Sequence, residues 1–303
     1  MRTLGLISLA LSLVLSPLLF GVINRTKALL AGRHGVPLFQ LYYDLFKLLK
    51  KGAVYSSTST WLLRLSPAVS LSTVLVAAAI APLGGTGSLI SFEGDLILFA
   101  YVLGLSRFFT VLAALDTGSS FEGMGASREL QFSALAEPAF LLGLAAVAAH
   151  TGRLSLGAMY EQLGFASWLQ AAPAMVLTAS ALFIVFLAEN ARIPVDDPNT
   201  HLELTMIHEV MILDHCGPDL ALIQYASAIK LWVLGSLITG VILPVRSGIV
   251  WLDCLAALGG LLALAVGVGV IESSMARLRL VIVPRLLLGA SVFAVLALIL
   301  ILR

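Results

Sequence analysis

The sequence predicts an all-α polytopic membrane protein with one membrane domain, about eight transmembrane helices, and an interfacial amphipathic helix between spans 1 and 2. Three observations predict it. The 303 residues are 59% hydrophobic and 12% charged, whereas soluble domains carry roughly 25% charged residues. Mean hydropathy is +1.02. The apolar residues also fall in runs of about 20, the length a helix needs to cross a bilayer core. A formal charge of +1 gives no long-range field to recruit nucleic acid.

Eight such runs follow one another at 4–23, 66–83, 96–115, 130–150, 172–190, 219–244, 249–271 and 281–302. The first is followed by Arg25, Lys27 and Arg33 and preceded only by Arg2. A signal peptide carries its charge in front, so this run is expected to be retained as a span. Residues 36–51 are apolar except for Gln40, Asp44, Lys47, Lys50 and Lys51. Four of these, Gln40, Asp44, Lys47 and Lys51, make one narrow polar stripe on a helix. That pattern predicts a helix lying in the membrane interface with its lysines toward the headgroups. Residues 151–171, with Tyr160 and Trp168, read as a shorter interfacial segment on the other side.

Basic residues orient the spans. The segments after spans 1, 3, 5 and 7 hold Arg25, Lys27, Arg33, Lys47, Lys50, Lys51, Arg64, Arg128, Arg192, Arg277, Arg279 and Arg285. The opposite side holds Arg2, Arg153, Arg246 and Arg303. Both termini are therefore expected outside, in a multi-pass protein of a prokaryotic cytoplasmic (inner) membrane. Cys216 and Cys254, the two cysteines, then lie on opposite faces. An iron–sulfur cluster needs about four ligands of this kind, so the chain is expected to bind no cofactor by itself.

Residues 188–215 form an acidic cytoplasmic loop suited to partner docking. Six of the seventeen acids lie there: Glu189, Asp196, Asp197, Glu203, Glu209 and Asp214. The stretch HLELTMIHEVMIL is apolar between its charges and reads as a partly buried helix. His201, His208 and His215 recur every seven residues, about 10.5 Å along a helix, too far for two imidazoles to share one metal ion. Glu189 and Arg192, three residues apart, would face one side of a continuing helix. Arg192 is thus expected among Glu189, Asp196 and an acid from the following helix.

Other charges sit where apolar residues belong. Arg107, Glu137 and Lys230 lie well inside spans, and Asp116, Glu189 and Glu272 near span ends. A charge at a helix centre costs about 2.5–3.5 kcal/mol on insertion scales, so these groups must be paired or line a polar path. Carboxylates that are close together and partly desolvated exchange protons near neutral pH. Pro138 beside Glu137 removes a backbone hydrogen bond and gives water an entry. The set predicts a proton relay, with buried packing pairs as the competing reading.

AExxRxPxD at Ala188, Glu189, Arg192, Pro194 and Asp196, followed by Glu203, Leu204 and Glu209, resembles the cytoplasmic loop of subunit 1 of respiratory complex I. LDTGSSFEGMGASRE (115–129), LAEPAFLLGL (135–144), IESSMARLRL (271–280) and RHGVPLFQLYYDLFKLLKK (33–51) are more similar to the membrane subunit of group 4 NiFe hydrogenases, of the formate hydrogenlyase subunit 4 and hydrogenase-4 component C type. The chain departs from the family pattern at Asp214 and His215, where a glutamate–tyrosine pair is usual.

The resemblance implies a non-catalytic, ion-conducting anchor subunit in an oxidoreductase complex. Its partners would be the hydrogenase large and small subunits, an iron–sulfur protein and antiporter-like membrane subunits. The nickel–iron centre and iron–sulfur clusters would sit in those partners. Ion translocation would run through Glu137, Glu189, Glu203, Glu209, Glu272 and Lys230, while Arg128, Arg192, Asp196 and Asp197 would shape the docking chamber. The alternatives are subunit 1 of an NADH–quinone oxidoreductase-type complex with a quinone chamber, and a stand-alone secondary ion transporter. The latter is expected to show two related halves, which the sequence lacks. The electron donor, the identity of the moved ion and the direction of turnover are open in the sequence.

Overall fold

The computed structural model describes residues 2–196 and 206–303. Eight of its helices are long and apolar enough to cross a membrane. They are α1 (Arg2–Leu30), α3 (Trp61–Ile80), α4 (Asp95–Asp116), α5 (Ser120–Thr151), α8 (Ala172–Glu189), α9 (Gly217–Ile242), α10 (Val250–Ser274) and α11 (Val283–Leu302). Three short helices, α2 (Gln40–Leu49), α6 (Leu156–Gln162) and α7 (Phe165–Gln170), lie in the connections. Among the described residues the only β-type pairing is one bridge between Leu83 and Thr86. The protein is a multi-pass, all-α membrane protein.

Prolines at the first turns of α8, α9 and α11 start those helices where a missing N–H costs nothing. Pro17 instead falls inside α1 and leaves the Leu13 carbonyl without its helical donor. The Tyr225 hydroxyl of α9 donates to that carbonyl at 2.9 Å, and Tyr42 of α2 donates to its neighbour, the Val14 carbonyl. Two tyrosines thus hold the broken turn against α2 and α9. On α2 itself, Gln40 donates to Asp44 at 2.9 Å, while Phe39, Tyr43 and Phe46 are exposed.

Helix α9 is the hub, with Val233, Leu234, Leu237, Ile238 and Val241 all buried in the main core. It packs on α1, α3, α8 and α10, while α11 lies against α5 and α8. The loops collect at two ends. At one, Asp95 accepts from the Ser155 hydroxyl at 2.8 Å and the Leu156 amide at 2.7 Å. At the other, Asp116 accepts from the Thr60 amide and hydroxyl, both at 2.7 Å, and Tyr55 donates to Asp219 at 2.8 Å. An even number of crossings leaves both termini at the first end.

Two sequence expectations change. Helix α5 starts ten residues before the predicted span, because Gly125 lets Val210 and the Ile207 carbonyl press onto its first turns. Packing, rather than hydropathy, makes that polar stretch helical. Residues 151–171 form the short helices α6 and α7 between two spans and are tied to α9: Tyr160 is buried over Gly240 and donates to the Leu237 carbonyl, and Trp168 donates to the Val241 carbonyl, each at 2.9 Å. The helix expected over HLELTMIHEVMIL is reduced, in its described part, to one 3-10 turn at Glu209–Ile212. Residues 201–205, with His201, lie outside the described residues.

Candidate functional site

Arg107 stands mid-way along α4 with its side chain largely buried. Three carboxylates surround it. It donates to Glu137 of α5 and to Glu189 at the end of α8, and its Nε is 3.2 Å from Glu129, also on α5. Lys230, at the middle of α9, reaches Glu189 at 2.8 Å. Charges that each cost several kcal/mol alone are tolerated here because every one is paired. Glu129, Ser133 and Glu137 recur at i, i+4 and i+8 on α5, which places them along one side of the helix.

Glu137 is the least enclosed member, with a side chain 54% exposed. It opens on a cleft of about 350 Å³ between α4 and α5, lined by Tyr101, Gly104, Phe140, Leu141 and Leu234 together with Arg107 and Glu189. This carboxylate therefore connects the cluster with whatever lies beside the helices at that depth.

From Glu129 the line continues to the turn after α8. His208 Nε2 is 3.2 Å from Glu129 and its Nδ1 is 3.7 Å from Asp196. Asp196 in turn pairs with Arg277 at 3.1 Å and accepts from the backbone amides of Ile207 and His208 at 3.2 Å. Taking those amides itself, Asp196 ties the returning chain down. Burial alone would raise its carboxyl, but His208 and Arg277 outweigh it and hold it below the usual value. Burial alone would likewise lower His208, but Glu129 and Asp196 outweigh it and hold its imidazole above the usual value.

A second group sits between α1 and α10. Glu272 is 2.8 Å from Lys27 and 3.3 Å from Arg192, whose guanidinium lies 4.5 Å from the Phe20 ring centre. Burial lowers the Arg192 guanidinium, opposed by Glu272 and Glu209. The backbone turn 192–196 joins the two groups, since the Arg192 carbonyl accepts from the Asp196 amide at 3.2 Å.

Most residues singled out in the sequence meet here, though with different partners. Arg192 was expected beside Glu189 and Asp196. Instead Glu189 turns to Arg107 and Lys230, while Arg192 turns to Glu272. The reason is local: α8 ends at Glu189, and Ala191 takes φ 50, so i, i+3 geometry no longer applies. Glu209 opens the 3-10 turn and acts on Arg192 through its charge. Arg128 donates to the Met206 carbonyl at 2.9 Å. Asp197 and Glu203 lie outside the described residues.

In the sequence Arg107 stands out as an intramembrane charge and nothing more. Glu129, Lys27, His208 and Arg277 have no assigned role there. Glu129 could have been found from its eight-residue spacing to Glu137, had α5 been started earlier. Cys216 precedes α9 and Cys254 lies in the first turn of α10, at opposite ends of the bundle.

The chain is similar to known proteins. The chain is 32% identical over 294 residues to formate hydrogenlyase subunit 4 of Escherichia coli (strain K12), covering 93% of this chain and 92% of that one. It is 36% identical over 234 residues to hydrogenase-4 component C of the same organism, covering 77% and 72%. Its fold is similar to a chain in the structure of the membrane-bound sulfane sulfur reductase, an archaeal respiratory membrane complex, with TM-score 0.81, 20% identity and coverage of 99% and 98%. A family model described as NADH dehydrogenase matches residues 3–303. This chain therefore belongs to the NADH dehydrogenase family, in its complex I subunit 1-like sense.

Proposed function

We propose that this chain is the ion-conducting membrane anchor of a multisubunit hydrogenase-type complex. It couples electron transfer in a peripheral nickel–iron and iron–sulfur arm to translocation of protons or sodium ions. The observation that carries this reading is the unbroken sequence of charged side chains from Lys230 and Glu189, through Arg107 and Glu129, to His208 and Asp196. It runs from mid-membrane depth to the end where the 190–216 connection lies. A packing device has no need of so many desolvated charges in one line.

In this reading the loop end faces the cytoplasm, both termini lie outside, and the membrane is the prokaryotic cytoplasmic one. Arg192, Asp196, Asp197 and Arg128 shape the floor on which the arm sits. Glu189, Glu137, Glu203, Glu209, Glu272 and Lys230 belong to the ion path, and antiporter-like subunits receive the ion beyond Glu137. The large and small hydrogenase subunits and an iron–sulfur protein hold the metal centres.

The test is the coupling of the intact complex in everted membrane vesicles. Glu137→Gln keeps the shape and cannot release a proton. It is expected to assemble and to keep near-normal electron transfer to dyes, with most of the ions moved per electron lost. A purified complex without nickel, or a Glu137→Gln complex that translocates as the wild type does, overturns the proposal.

A further inference from the structure

The functional reading leaves one junction unexplained. Glu129 belongs to the intramembrane cluster and Asp196 to the loop, and neither reaches the other. What stands between them is a single imidazole. The His208 Nε2 faces Glu129 at 3.2 Å and the Nδ1 faces Asp196 at 3.7 Å. Both ring nitrogens are shielded from solvent, although the side chain as a whole is a quarter exposed. The ring therefore turns its two titrating atoms inward, one toward each acid, and its carbon edge outward.

The surrounding charges suit a group that gains and loses a proton. Glu129 from α5 and Asp196 from the turn after α8 favour the imidazolium, and Lys230 from α9 opposes it. Arg277 already neutralises Asp196 from the far side, and Arg107 does the same for Glu129. Three acids, Glu129, Glu137 and Glu189, share the two cations Arg107 and Lys230. The cluster is one positive charge short, and a proton on His208 supplies it. Beside the ring is a small recess of about 10 Å³ with largely apolar walls, Phe132, Ala136 and Val195 among them, into which Glu129, Ser133, Glu189 and His208 also reach. That is about the least probe-sized space that admits one water, and the carboxylates, hydroxyl and imidazole at its edge supply the partners.

We infer that His208 is the proton-transfer link between the loop and the intramembrane cluster, working through its two ring nitrogens in turn with one water bound between it and Glu189. In the inward direction a proton leaves a donor on the Asp196 side and bonds to Nδ1, forming the imidazolium. The Nε2–H bond then breaks as its proton passes to Glu129, or through the water to Glu189. The ring is left neutral with its proton on Nδ1, and the cycle closes when tautomer exchange returns a proton to Nε2 and frees Nδ1. His208 lies within 3.7 Å of an acid of each cluster. This link rests on the ion-conducting reading above.

The experiment measures protons and sodium ions moved per electron in everted vesicles carrying the intact complex. It compares the wild type with His208→Gln, His208→Asn, His208→Ala and His208→Arg. Stoichiometry is a ratio, so partial assembly does not mask it. Expected are dye-linked electron transfer near the wild-type rate and loss of coupled proton movement in all four variants. Added imidazole is expected to restore part of the coupling in His208→Ala alone. Coupling restored by His208→Arg makes the residue a fixed counter-charge and overturns the relay. So does wild-type coupling in His208→Gln, or loss of assembly in every variant. A wild type that moves sodium without protons leaves the functional reading standing and overturns the link. A wild type that moves no ion overturns both.

Discussion

Arg192 meets Glu272 across eighty residues of sequence, Nη1 to Oε1 at 3.3 Å, with both side chains closed off from solvent. Lys27 shares the same carboxylate at 2.8 Å, so one acid serves two cations. Removing a partner from a buried pair costs about 3–5 kcal/mol, because the group left behind stays desolvated. Glu272→Ala strands two cations and should lower the thermal midpoint of the detergent-solubilised complex more than Arg192→Ala, which leaves the Lys27 pair intact. The double variant should be less damaging than the sum of the two, by about 0.5–3 kcal/mol of coupling. Additive single effects mean that the two side chains do not act on each other.

Stability should depend on pH in a direction set by the loop residues. The His208 pKa is raised above 6.5, so its contribution is complete below 6.5 and is lost as pH rises through the higher folded value. His215 is the opposite case. Burial lowers its pKa from 6.5, against Asp219 and Asp214, so stability falls as pH drops from 6.5 through the lower folded value. Midpoints measured from pH 5 to pH 9 should therefore decline on both sides of the neutral region. His208→Gln should flatten the alkaline side and leave the acid side unchanged. An alkaline decline that persists in His208→Gln assigns it to another group.

Gly21 is the point where α1 and the segment before α2 touch. A methyl group there would overlap the Leu38 carbonyl and its backbone carbon. Backbone cannot rotate out of the way as a side chain can, so Gly21→Ala should push α2 off α1 and cost about 1–3 kcal/mol by overpacking. Gly289 on α11 has open space around its Cβ position, and Gly289→Ala should leave the midpoint within about 0.5 kcal/mol of the wild type. Limited proteolysis of the 31–60 connection reads the first effect directly. Equal cutting of Gly21→Ala and wild type would show that α2 is held elsewhere.

Reporter fusions test the orientation. Tyr55 lies at the loop end that holds Asp219 and Cys216, and Ser88 at the end that holds Ser155 and Tyr160. A fusion after Tyr55 should report cytoplasm and one after Ser88 the outside, following the basic residues. The reverse pattern, or a cytoplasmic signal after Arg303, inverts the map and moves the docking floor to the other face.

Hydropathy and charge placement are local properties, and the sequence alone determined what depends on them. Runs of about 20 apolar residues located eight spans, because the bilayer rewards each helix separately. The costly charges Glu137, Glu189, Lys230 and Glu272 were legible for the same reason. Which charge meets which was not, since that depends on helices far apart in sequence packing side by side. Arg107 finds Glu137, Glu189 and Glu129 thirty, eighty-two and twenty-two residues away. The left-handed Ala191 turns Arg192 from its sequence neighbour Glu189 toward Glu272. Helix α5 reaches back to Glu129 only because the returning loop presses on Gly125. The seven-residue spacing of His201, His208 and His215 speaks only against a shared metal ion, and only the fold sets His208 between Glu129 and Asp196. A carboxylate's partner is chosen by proximity at a few ångströms, and that proximity is a property of the assembled bundle.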